Sequence, residues 1–364
     1  PEQSQTPLDI LRKDIAEIQR DMDKVRTDVR LSSLRDEVED LDMEISGLSK
    51  RVDDLRSRGY AFGKAMETRA ADLAQRWSTV RPTVMVQISS QGRQLEAELP
   101  GVESKLAHLA GISSNVALAR PYCNQVRAEV DGLQGRAESV INSIKGMYDT
   151  LQSELGTFKQ GLQEVDWMLK QLAEATFQLL PTEAGVMAVK TVWAPTGKEE
   201  KDDPEGVLFL TDQRILFEQK EEIATKKVLF ITTEKKKVQE LKFEFPVVLV
   251  EEVRTSKLGT FKNEDHLDLM LGSGAPYRSV HVHIWQDAAR WQGLINRAKA
   301  RDFEQDRAVA VDQAAVEKVK NAPTVCPACH AAITQTVLRG QDTIVCEYCG
   351  RIMIDPEMAG IVEK

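Results

Sequence analysis

From Leu8 to Leu55 the apolar residues fall at alternating steps of three and four. One series runs Leu8, Leu11, Ile15, Ile18, Met22, Val25, Val29, and a second runs Leu34, Val38, Leu41, Ile45, Leu48, Val52, Leu55. This is the heptad pattern, and it restricts the segment to a long helix with one narrow apolar stripe. About seven heptads give a helix of roughly 75 Å at ~1.5 Å per residue. Such a stripe cannot be buried alone. It needs a second helix of the same chain or of another copy, so a coiled coil is expected, and a homo-oligomer if it closes between chains. Thr6-Pro7-Leu8-Asp9 is a start signal: Thr6 caps, Pro7 takes the first helical position, and Asp9 sits in the first turn. The step from Val29 to Leu34 is five, so the register breaks at Leu31-Ser32-Ser33. Either the helix restarts there, with Ser33 as a cap facing Asp36, or a continuous coil is distorted. Gly59 and Gly63 mark a further weak point.

Helical spacing continues over 62–80, 83–99, 102–119, 122–148 and 150–180. Pro82, Pro100 and Pro121 punctuate it, and Pro100-Gly101 suggests a break. At Pro181 the pattern changes to short β-rich runs: Val186–Ala194, Gly206–Thr211, Arg214–Gln219, Val228–Thr232, Val238–Phe245, Val247–Thr255, His266–Leu271 and Ser279–Ile284. An amphipathic helix is predicted over 285–300, and a charged helix over 301–320. The fold class is therefore multidomain α+β. Residues 1–180 form a helical coiled-coil region, followed by a β-rich unit closed by one helix, a helical linker over 301–322, and a ribbon over 323–358.

That ribbon is defined by Cys326-Pro-Ala-Cys329, sixteen intervening residues, and Cys346-Glu-Tyr-Cys349-Gly350. Two C-x-x-C turns can aim four thiolates at one tetrahedral ion, and Zn2+ is the metal this spacing suits. Gly350 supplies the left-handed turn that a knuckle needs. A disulfide pair or a redox C-x-x-C are the competing readings, but no βαβ pattern surrounds the residues. With Cys326, Cys329, Cys346 and Cys349 all ligating, no position stays open for water, so the zinc is structural. Cys123 is left over, with the pattern of a half-buried helical thiol.

Charge bears on partners. The chain has 364 residues and a net charge of −9. An acidic chain is a poor generic nucleic-acid binder. There is no run of 18 apolar residues, and the first residues do not read as a secretory signal. With cysteines that suit a reducing compartment, the expectation is a cytoplasmic location, possible at the membrane periphery. One segment is locally basic: Lys226 and Lys227, then four apolar residues, two threonines and Glu234, then Lys235, Lys236 and Lys237. Its simplest reading is a barrel strand, Val228–Thr232, whose flanking lysines discourage edge pairing. The alternative is contact with anionic lipid or a partner, at ~1 kcal/mol per near-surface lysine.

Two resemblances follow from the motifs. Gly206-Val-Leu-Phe-Leu-Thr211-Asp-Gln-Arg214-Ile-Leu-Phe217 resembles the hairpin of GRAM and bacterial pleckstrin-homology (PH)-like domains. That implies a PH-like β-barrel with a capping helix over 183–300, a module for phospholipid head groups or proteins, not an enzyme. The ribbon, ending Cys349-Gly350-Arg351-Ile352-Met353-Ile354, resembles that of a bacterial family in which a coiled-coil hairpin precedes a four-cysteine zinc ribbon. Flagellar-export chaperones belong to that group, and its members act as adaptors that bind proteins. Here a PH-like domain is inserted between the two parts.

No phosphate-cradling glycine loop, G-x-S-x-G or H-E-x-x-H occurs. His281 and His283 share a strand face with His266 nearby, a pattern more often structural than ligating. The expectation is a non-enzymatic scaffold or adaptor. The alternatives are a membrane-associated coat or remodelling protein, and a nucleic-acid-associated factor using Arg339, Arg351, Lys318 and Lys320. Of these the acidic chain favours nucleic acid least.

Overall fold

The structure is a computed structural model describing residues 6–228, 231–259, 263–341 and 343–354; at 223–228, 231–236, 318 and 354 only the backbone is described. Six helices come first: α1 (Pro7–Asp28), α2 (Ser32–Ser46), α3 (Leu48–Ser57), α4 (Met66–Ile112), α5 (Val116–Lys145) and α6 (Asp149–Glu174). The chain divides into two compact units, 1–50 with 67–159 and 51–66 with 160–364.

The first unit is a three-helix bundle. α4 runs antiparallel to the N-terminal helices, since Trp77 Nε1 donates to Asp42 (2.9 Å) and Arg26 Nε to Glu103 (2.7 Å). α5 runs back parallel to α1, with Arg127 on Glu17 (3.4 Å) and Lys24 on Glu138 (3.4 Å). The heptad residues from Leu11 to Leu48 are buried against this bundle, within one chain. The helical region is not one continuous rod. Leu31 takes φ 53°, ending α1 and starting α2, so the restart falls at Leu31 and not at Ser33. A left-handed leucine costs about 1–2 kcal/mol. Its side chain is nevertheless 1% exposed, and Gly92 of α4 lies under the joint, where a Cβ would meet the Val29 and Arg30 carbonyls at 3.7 Å. At the start of α1 the expected cap is present: Thr6 and Asp9 form a reciprocal capping box.

The prolines do not divide α4. Pro82 and Pro100 sit inside a 47-residue helix. Both are exposed, as are Ser78 and Glu96, whose carbonyls each proline leaves without a helical donor, so water can satisfy them. The buried row on either side, Trp77, Val84 and Ile88 and then Leu95, Val102 and Leu106, holds the helix in line. α5 begins before Pro121, capped by Asn115, whose side chain accepts from the Leu118 amide.

The second unit is built on one antiparallel sheet. Its strands are β1 (Gly185–Ala194), β2 (Glu205–Thr211), β3 (Arg214–Val228), β4 (Ile231–Pro246), β5 (Val250–Leu258), β6 (Glu264–Leu271) and β7 (Ser279–Ile284), in the order β4-β3-β2-β1-β7-β6-β5. Two meanders thus meet along β1 and β7. The core combines Leu208, Phe217, Phe245 and Val282 with Trp291 and Ile295 of α7 (Ala288–Lys299). Phe62, from the α3–α4 connection, also enters this core. Arg56 holds that connection by donating to the Tyr60, Phe62 and Gly63 carbonyls. Gly59 (φ 94°) and Gly63 (φ 67°) supply its turns. The weak point read from these glycines is therefore an inter-helix turn anchored by a buried phenylalanine.

The run Val228–Thr232 is not a strand of its own. Val228 closes β3 and pairs with Ile231 at the start of β4, so the apolar stretch lies at a hairpin end; residues 229–230 are outside the described residues. β3 extends to residue 228, whereas its pairing with β2 stops at Gln219. The outer nine residues of β3 therefore form a two-stranded arm of roughly 30 Å at ~3.3 Å per residue. The linker is not one helix either. Arg301 turns left-handed (φ 59°) and stops α7, and only Gln313–Lys320 (α8) is α-helical again.

Candidate metal centre

Cys326, Cys329, Cys346 and Cys349 converge, all four sulfurs lying within 4.8 Å of one another. Two matching knuckles bring them there. In the first, the His330 amide donates to the Cys326 carbonyl (2.9 Å) and the Cys326 amide to the Ala331 carbonyl (2.9 Å). In the second, Gly350 donates to Cys346 (2.8 Å) and Cys346 to Arg351 (2.9 Å). Each knuckle ends on a left-handed residue, Gly350 at φ 70° as the sequence suggests and His330 at φ 55°, which it does not. β8 (Thr343–Val345) and β9 (Ile352–Ile354) pair behind the second knuckle, and Ile344 and Met353 pack beneath the sulfurs.

The spacing suits a tetrahedral ion. Metal–sulfur bonds of about 2.3 Å place tetrahedral sulfurs about 3.8 Å apart. Cys326 and Cys349 are 3.7 Å apart, and Cys329 and Cys346 3.6 Å. The Cys329 and Ala328 amides bring the Cys326 thiol down to about 6. Cys329 also accepts an amide hydrogen bond, from Ala331, yet desolvation and the neighbouring sulfurs push it up to about 12. Four thiolates at this distance repel one another; a divalent cation between them removes that penalty. The residues present thus fit a metal ion. Cys123 lies in the helical unit, buried on α5, with its thiol raised chiefly by burial.

The ribbon is seated on the sheet chiefly through Arg339, whose backbone also pairs with the Gln213 side chain. Arg339 donates to Asp212, to Thr182 Oγ1 (3.2 Å) and to Glu304 (3.0 Å), while its amide donates to Gln213 Oε1 (2.7 Å). Arg307 shares Asp212 at 2.5 Å. Asp212 and Gln213 form the β2–β3 turn, so the hairpin that resembles GRAM domains is also where the ribbon rests. Its motif residues each have a physical task. A Cβ on Gly206 would collide with the Glu218 carbonyl. Thr211 Oγ1 accepts from the Arg214 amide (2.7 Å) and donates to Glu183 (2.5 Å). Arg214 clasps the same Glu183 with Nε (3.0 Å) and Nη2 (2.6 Å), and also donates to Glu244.

Of the lysines singled out, Lys226, Lys227, Lys235, Lys236 and Lys237 all fall on the β3–β4 arm, where Lys226 pairs with Glu234 and Glu222 with Lys237. The Lys237 side chain is exposed; the other four side chains lie outside the described residues. Sequence reasoning brings His266, His281 and His283 near one another but misses Glu199, which reaches them from the β1–β2 loop.

No family model matches the chain, and no curated protein matches it. Among solved structures, the DH/PH domains of p115-RhoGEF are similar at 11% identity over 82% of this chain and 95% of that one, with a TM-score of 0.21. A second structure of those domains, carrying a point substitution, gives 10% identity, 83% and 99% coverage, and 0.21. At that score the likeness does not bear on the fold of this chain. Among the described residues no helix is long and apolar enough to cross a membrane.

Proposed function

We propose that this chain is a non-enzymatic cytoplasmic adaptor. The ribbon and helical bundle contact protein partners, the seven-stranded unit is a PH-like docking module, and the cysteine cluster carries structural Zn2+. The observation that carries this reading is the ribbon's outer surface. Val345 and Ile352 face one another across β8 and β9, and are 46% and 59% exposed. Tyr348, in the knuckle between them, is 71% exposed. A ribbon with so small a core that still holds its larger apolar groups in water has the composition of a recognition surface. The soft four-sulfur donor set and its near-tetrahedral edges favour Zn2+. The PH-like reading is supported by two meanders of four and three strands followed by one packed helix. Because the bundle buries its own heptad stripe, self-association is assigned to the ribbon surface and not to that seam.

A membrane-associated coat is the second reading, favoured by the lysine-rich arm, which projects past β2. The nucleic-acid reading loses one of its cations, because Arg339 is engaged by Asp212 and Glu304. Light scattering coupled to size exclusion, with and without anionic liposomes, tests the proposal. Assembly or partner retention without lipid, lost in Tyr348→Ser, supports the adaptor. A monomer that assembles only on liposomes moves the function to the arm. A compact monomer that retains no partner and ignores liposomes sinks both.

A further inference from the structure

The outer face of β6 and β7 carries an alternating set of polar residues. Leu267, Leu269, Val280 and Val282 point to the core. His266 and Asp268 on β6, with His281 and His283 on β7, take the opposite face, and the strand register sets His266 directly across from His283 and Asp268 across from His281. His266 is nevertheless only 2% exposed. The β1–β2 loop approaches this face and brings Glu199 Oε2 to 3.0 Å from His283 Nδ1, in an alignment that does not make a hydrogen bond.

The hydrogen bonds fix where the lone pairs lie. His281 Nδ1 is 2.6 Å from Asp268 Oδ1, so with neutral rings this nitrogen carries the proton and donates to the carboxylate. His281 Nε2 is then an acceptor. It lies 3.1 Å from His266 Nδ1, which must donate to it. The proton on His266 is thereby assigned to Nδ1, and Nε2 presents a bare lone pair. That Nε2 is buried with no hydrogen-bond partner, and so is His283 Nδ1. Two buried imidazole nitrogens without partners cost free energy unless something fills the space between them. Burial, then the neighbouring His283 and His281, holds His266 below the usual histidine range, which agrees with a neutral ring.

We propose that His266 Nε2, His283 Nδ1 and a Glu199 carboxylate oxygen form a second metal site, for a borderline first-row divalent cation of the Zn2+ or Co2+ type. The three donors lie within 4.8 Å of one another. Bonds of about 2.0–2.2 Å place tetrahedral donors roughly 3.3–3.6 Å apart. His283 Nδ1 and Glu199 Oε2 are 3.0 Å apart, and Glu199 is exposed and free of the strand register. Two neutral nitrogens and one carboxylate leave a fourth position for water, and Glu264, 4.0 Å from His266 Nε2, adds negative charge beside it. Asp268 and His281 act as positioning residues, in the manner of a carboxylate that orients a ligating histidine. Occupation would pin the β1–β2 loop to the sheet.

The test uses the tag-free full chain, as purified, titrated with Co2+ and followed by absorption. The expected result is one equivalent whose spectrum has d–d bands but no sulfur-to-cobalt charge transfer. That equivalent disappears in His283→Asn and in Glu199→Gln, whereas metal at the cysteines, seen by its charge-transfer band or by zinc content, is unchanged. Asp268→Asn should weaken the second site by about 10–100-fold. Glu199 is exposed, so its variant separates loss of a ligand from loss of the fold. A wild-type chain that takes up cobalt only with the thiolate band overturns the proposal. So does a thiolate-free equivalent that survives both variants.

Discussion

Glu183 has a fully buried side chain and accepts from both Thr211 and Arg214. Two charges in that position are stable only together. Arg214→Ala leaves a carboxylate without its cation and should cost about 3–5 kcal/mol, read as a fall in the denaturant midpoint. The double variant Glu183→Leu with Arg214→Met should regain most of that loss, because a buried pair exchanged for apolar groups is close to neutral. At the cysteines the expected outcome is all-or-none. Replacing any one of Cys326, Cys329, Cys346 or Cys349 by Ser should remove the metal at the cysteines and ribbon order together, as the loss of one equivalent of metal and of amide dispersion would report. Cys123→Ser should leave zinc content unchanged; zinc loss in that variant would contradict the assignment.

At the scale of elements, α6 is tied to α7 by Glu164, which receives two hydrogen bonds from Arg290 at 2.8 and 2.5 Å. Burial opposes the charge, but the Arg290 hydrogen bonds outweigh it and hold the carboxyl below the usual range. A lowered folded pKa contributes stability above the ordinary carboxylate value, and that stability is lost as pH falls through the folded value. Thermal unfolding followed between pH 6 and 3 should therefore show a Glu164→Gln deficit of about 0.5–1 kcal/mol at the upper end that shrinks towards the lower. In α4, Pro100→Ala should stabilise by about 1–3 kcal/mol, since it restores a donor inside a helix that already continues past the site. How far these elements could be read from the chain depended on period. The heptad rows and most strands were legible, because burial imposes a repeat of three-and-four or of two on the sequence. Leu31 broke the row visibly, yet the left-handed residue itself was unmarked, because its penalty is offset by tertiary packing over Gly92. Pro100-Gly101 was misleading for the converse reason: a proline on an exposed helix face is tolerable, and exposure is not a local property. The Val228–Thr232 run has strand composition and becomes a hairpin end, because pairing partners are chosen along the whole hairpin. For the cysteine cluster, spacing alone named every residue. Glu199 could not be found that way, because a loop, not a register, brings it to the histidines.

At the scale of the whole molecule, the sequence's separate ribbon is held to the sheet by Arg339, whose side chain is only 11% exposed. Arg339→Ala should leave all four cysteines able to bind metal yet raise proteolytic cleavage between α8 and the ribbon, a difference limited digestion would detect. The seat has a further meaning. Any contact present only when the ribbon is folded adds to the apparent affinity of whatever folds it, tenfold for each ~1.4 kcal/mol. Asp212, Thr182 and Glu304 therefore act at a distance on the sulfurs' grip, although none of them touches the ion. A chelator must work against the sheet as well as against four thiolates. Under the proposed function, a partner that lifted the ribbon from Asp212 would loosen a bound metal in the same act, so partner capture and retention of the ion would be opposite ends of one thermodynamic lever.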